Sequence, residues 1–134
     1  MPKEEFQLDP TVTGEPSLTG QGKLQGTVLY MSPEQVEESA ELDHRTDIYS
    51  LGAVLYEVLT GEQMIARGAL HEMMTAVREN QIDRPSERAR HRDVPARLEE
   101  ICLRCVSLDP KDRFQTANDL LLALQEWSEL AEPL

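Results

Sequence analysis

Beyond the first thirty or so positions, apolar residues fall at helical spacing, and no alternating strand pattern longer than about four residues appears. Leu70, Met73, Met74 and Val77 form one stripe, Leu98, Ile101, Cys102, Cys105 and Val106 a second, and Ala117, Leu120, Leu121, Leu124 and Trp127 a third. Each predicts a helix with one face to bury. The segment from Asp47 to Thr60 is patterned differently. Its Ile48, Tyr49, Leu51, Ala53, Val54, Leu55, Tyr56, Val58 and Leu59 leave no consistently polar side, which predicts a central helix apolar all round. Asp47 suits the positive N-terminal end of that helix, and Gly61 suits a left-handed cap after Thr60.

Two shorter signals mark further helix starts. Ser32-Pro33-Glu34-Gln35 places a hydroxyl at the cap, proline at the first helical position and Gln35 three residues after the cap, the spacing of a capping box. Thr116 with Asp119 repeats that spacing ahead of the last stripe. The expected architecture is mainly α, one helical domain over residues 27–130 around a central hydrophobic helix. No repeat with a period of about 20–50 residues is visible, which excludes a solenoid of helix pairs.

Residues 1–26 are unlike the rest. They hold Gly14, Gly20, Gly22 and Gly26 with Pro2, Pro10 and Pro16, and their few apolar side chains follow no period. Such a composition predicts a flexible leader.

Charge narrows the partners. Lys and Arg number 13 against 25 Asp and Glu, giving a formal charge of −12 that repels nucleic acid and anionic membrane surfaces. Arg84, Arg88, Arg90, His91 and Arg92 form the one locally basic stretch, expected to be a solvated loop. Cys102 and Cys105 make a C-x-x-C, yet a structural zinc site takes four ligands and His44, His71 and His91 show no matching spacing. Both cysteines lie on the apolar phase of a predicted helix, so buried reduced thiols are expected and no metal site. No apolar run approaches the ~20 residues of a membrane span, and the N-terminus is not a secretory leader, so a cytoplasmic chain is expected.

Against this background three separated strings stand out: Gly26-Thr27-Val28-Leu29-Tyr30-Met31-Ser32-Pro33-Glu34-Gln35, then Asp47-Ile48-Tyr49-Ser50-Leu51-Gly52, and later Asp109-Pro110-Lys111-Asp112-Arg113. In that order they resemble the distal half of a serine/threonine protein kinase domain of the bacterial type, from activation segment to last helix. The resemblance covers roughly residues 9–128. It implies the helical C-lobe of the protein-kinase-like fold, preceded by a leader similar to an activation segment.

Residue roles follow from the resemblance. Glu34 and Arg113 match a structural ion pair joining the end of the activation segment to the loop before the last helix. Gly26, Thr27 and Tyr30 match positions at the hydroxyl-substrate site, Gly26 by letting the backbone approach closely. Asp47 matches an aspartate that accepts hydrogen bonds from the catalytic loop. Thr11, Thr13, Ser17 and Thr19 fall where activation-segment phosphorylation is expected. Gly61-Glu62-Gln63-Met64-Ile65 departs from the family by lacking a Pro-Phe after Thr-Gly, so the next loop is expected to pack differently.

Nothing before Gly26 supplies the glycine-rich loop, the strand lysine, the His-Arg-Asp catalytic loop or the Asp-Phe-Gly metal site. The expectation is therefore a partial kinase domain, inactive alone, with no catalytic residue and no cofactor in this chain. ATP and magnesium would belong to a full-length parent that phosphorylates protein Ser/Thr. The alternative is a non-catalytic, pseudokinase-like interaction module. Its partner would be a protein, either a substrate, a kinase lobe or a second copy meeting through an exposed apolar face.

Overall fold

The computed structural model describes residues 23–39 and 41–130, and it is helical, with no strand among those residues. A first helical segment, α1, covers residues 23–28. It is followed by α2 (Pro33–Val36), α3 (Arg45–Thr60), α4 (Leu70–Arg78), α5 (Pro85–Arg88), α6 (Ala96–Cys105), a 3₁₀ turn (Pro110–Asp112) and α7 (Ala117–Leu130). Regular structure thus begins inside the expected leader. Residues 23–26 are helical, and Gln25 Nε2 donates to Gly68 O at 2.7 Å to hold them against the chain ahead of α4.

Helix α3 organises the main core. Gly61 ends it in the left-handed region at φ 77°, its N–H donating to Glu57 O at 2.7 Å. Ile48, Tyr49, Gly52, Ala53, Tyr56 and Leu59 are buried, and α6 packs along this face more extensively than any other helix pair packs. The two helices approach closely because residue 52 has no side chain. A Cβ there would lie 2.5 Å from Cys105 Cβ and 2.7 Å from Val106 Cγ1. From α6, Leu98, Ile101, Cys102 and Cys105 complete this layer, and α7 adds Leu120 and Ala123.

A second cluster joins α1 and α2 to α4: Val28, Leu29, Val36, Ile65, Met73 and Val77. Tyr30 packs against both clusters, so the segment between α1 and α2 is held on each side. The loop without Pro-Phe fills the same seam with other residues. Met64 enters the α3 core and Ile65 the α4 cluster, each 2% exposed or less. Burying one such side chain contributes roughly 1.5–3 kcal/mol, enough to anchor this loop without an aromatic.

The central helix keeps one apolar side exposed. Leu51, Val54 and Val58 are 49%, 47% and 68% exposed, because among the described residues nothing packs on that side of α3 except the edge of α7. The α7 stripe is correspondingly split, with Leu120 buried and Leu121 exposed.

Candidate functional site

Ser32 builds the site outward from its own cap. Its hydroxyl accepts from Gln35 N at 3.2 Å while Gln35 Oε1 accepts from Ser32 N at 2.9 Å, so the capping box closes in both directions. This fixes the first turn of α2, and Glu34 leaves that turn toward the C-terminal half of the chain. It meets Arg113, 79 positions away: Nη1 donates to Glu34 Oε2 at 2.6 Å and Nη2 to Oε1 at 2.9 Å. The grip is bidentate, matching planar guanidinium to planar carboxylate.

Arg113 is fully buried and spends its remaining donors on backbone carbonyls. Nη1 reaches Arg45 O at 3.0 Å, Nε reaches Ser107 O at 2.9 Å and Nη2 reaches Leu108 O at 3.3 Å. Its guanidinium also lies 5.1 Å from the centre of the Tyr49 ring. One side chain therefore ties α2, the start of α3 and the end of α6 together. On the acid side, Thr46 donates its hydroxyl to Glu34 Oε2 at 2.8 Å and sits 3.3 Å from the Ser32 hydroxyl. Burial pushes the Glu34 carboxyl up, but hydrogen bonds from Arg113, from its own N–H and from Thr46 outweigh it and hold the group below its ordinary range.

Sequence reasoning missed Ser32 and Thr46 as members of this network. The capping signal was visible at Ser32, but nothing in the spacing says that Thr46, in the first turn of α3, faces inward.

Gly26, Thr27 and Tyr30 lie on α1 and the turn after it. Thr27 is exposed and its hydroxyl donates to Lys23 O at 2.9 Å within the same helix. At Gly26 a Cβ would meet nothing within 4 Å among the described residues. Tyr30 is the anchored member. Its hydroxyl donates to Glu57 Oε1 at 2.6 Å and its carbonyl accepts from Ser50 Oγ at 2.6 Å, both on α3. The Glu57 bond and burial raise the phenol above its ordinary pKa. Asp47 stands apart, exposed in the first turn of α3, its carboxylate without a hydrogen bond or ion pair to a described residue. Thr11, Thr13, Ser17 and Thr19 lie outside the described residues.

The basic stretch is not simply a solvated loop. It includes α5, and three of its cations have fixed partners because backbone carbonyls and buried acids converge there. Arg84 pairs with the buried Glu99 at 2.8 Å, and Arg88 donates to Gln63 O at 3.0 Å while lying 5.5 Å over the Tyr56 ring. Arg92 donates to Val58 O and Leu59 O at 3.3 and 3.2 Å, capping the C-terminal end of α3. Burial pushes Glu99 up, but the Ser86 and Arg84 hydrogen bonds bring it below its usual range. His91-Arg92-Asp93 also spells the catalytic-loop tripeptide, which sequence reading passed over. Leu98 stands where that motif needs asparagine, and Arg92 is already committed to the α3 carbonyls.

Cys102 and Cys105 are fully buried and unbonded to each other, and burial lifts both thiols to about 12. Among the described residues no group of three His, Cys, Asp or Glu could hold a metal ion, and no helix is long and apolar enough to cross a membrane.

A helical layer built on a central helix, a bidentate acid–arginine clasp across it and an anchored segment ahead of the clasp define the C-lobe of a protein kinase. The family profile for the protein kinase domain matches residues 12–123, and the chain belongs to that family. Its relatives are bacterial serine/threonine kinases. It is 34% identical over 131 residues to the serine/threonine-protein kinase PknD of Protochlamydia amoebophila, covering 96% of this chain and 13% of that protein. It is 40% identical over 105 residues to PknB of Mycobacterium tuberculosis, covering 78% of this chain and 16% of that one. A solved structure of titin kinase and its flanking domains shares the fold, with a TM-score of 0.64 at 20% identity over 78% of this chain and 19% of the other. The chain thus spans between an eighth and a fifth of the length of these proteins.

Proposed function

We propose that these residues serve as the substrate-side lobe of a serine/threonine kinase whose full-length form phosphorylates protein hydroxyls with ATP and magnesium. In that form Gly26, Thr27 and Tyr30 would line the approach of the substrate hydroxyl. The observation that carries the reading is the clasp of Glu34 by Arg113, because it fixes the Tyr30 segment to α3 from a point 79 residues away. Tyr30's bonds to Glu57 and Ser50 complete that fixation.

Phosphoryl transfer is mostly positioning and charge stabilisation: a lysine on the nucleotide, acids and an amide on magnesium, and an aspartate beside the hydroxyl. The described residues do not fit nucleotide or metal. Asp47 stands alone, Glu57 is engaged by Tyr30, and no acidic cluster gathers near Thr27. The 134-residue chain by itself is therefore expected neither to bind ATP nor to transfer phosphate. Calorimetric titration with ATP and magnesium tests this directly: no saturable heat is expected, and saturable magnesium-dependent binding contradicts the reading.

One observation favours a second role. The bare side of α3 and the adjacent edge of α7 form an apolar groove of about 360 Å³, which supports an interaction module.

A further inference from the structure

We draw no further inference here: the strongest candidate, the polar cavity between the loop after α3 and α5 that Glu62, Gln63, Arg67, Asp83 and Arg88 line, opens beside Tyr30 and so belongs to the site already described, and its two acids and two arginines offset one another and select no ligand.

Discussion

Replacing Gly52 by alanine sets two effects of opposite sign against each other. Within an isolated helix the change is favourable, since glycine in a helix interior costs about 0.5–1 kcal/mol relative to alanine. In this fold the new methyl group would lie 2.5 Å from Cys105 Cβ and 2.7 Å from Val106 Cγ1. Ordinary carbon contacts sit at about 3.5–4.0 Å, so α3 and α6 must separate by roughly 1 Å along their main packing face. Both obstructing atoms are attached at or next to the α6 backbone and cannot swing aside as a long side chain would. Overpacking of this kind typically costs about 1–3 kcal/mol, and separation also weakens the Cys102 Sγ–Gly52 O contact at 3.4 Å. The cost exceeds the propensity gain, and a net destabilisation of about 1–2 kcal/mol is expected. Urea unfolding followed by far-UV circular dichroism measures it. A Gly52→Ala variant as stable as the parent or more so would refute the close α3–α6 approach on which the core depends.

Other outcomes follow from the same network. The Tyr49 hydroxyl is buried without a protein partner among the described residues, so Tyr49→Phe should be neutral or stabilise by up to about 1 kcal/mol; clear destabilisation in the same urea assay would mean the hydroxyl is satisfied. Cys102 and Cys105, with thiols at about 12, should react with a disulfide reagent only as fast as the chain unfolds, and rapid labelling under native conditions would contradict their burial. Glu34 and Glu99 are held below their ordinary range in the folded chain, so their stabilisation is present above the unfolded carboxylate pKa and is lost as pH falls through the folded value. Acid titration of stability should show that loss, and Glu34→Gln should flatten it; an unchanged slope in the variant would remove Glu34 from the account.

Helix content was legible because packing here follows local pattern. The stripes on α4 and α6 bury as their spacing says, and Gly61 caps α3 for the reason its conformational freedom suggests. The clasp was legible only through family resemblance, since no spacing rule connects an acid at 34 with an arginine at 113. Features set by tertiary approach stayed hidden. Glu99 reads as one more solvated acid until Arg84 and the Ser86 N–H converge on it, and Arg92 reads as a loop cation until the end of α3 arrives beside it. Helix α5 escaped notice although Pro85 at its first position was a usable sign. The all-round apolar pattern of α3 was read as hydrophobic with an exposed apolar face, while which side is bare stayed hidden, because pattern reports which surface avoids water and not what covers it.

The central claim is that Glu34 and Arg113 join the Tyr30 segment to the helical core, and a double-mutant cycle on that pair tests it most directly. Arg113 makes two bonds to Glu34 and three to backbone carbonyls, all inside the fold. Arg113→Ala or Glu34→Ala alone should each cost roughly 3–5 kcal/mol, since the survivor keeps its desolvation penalty. The double variant should cost less than the sum by about 2 kcal/mol or more. Costs that add within about 0.5 kcal/mol would mean that the two side chains do not hold one another, and the lobe would lose the joint on which its function is argued.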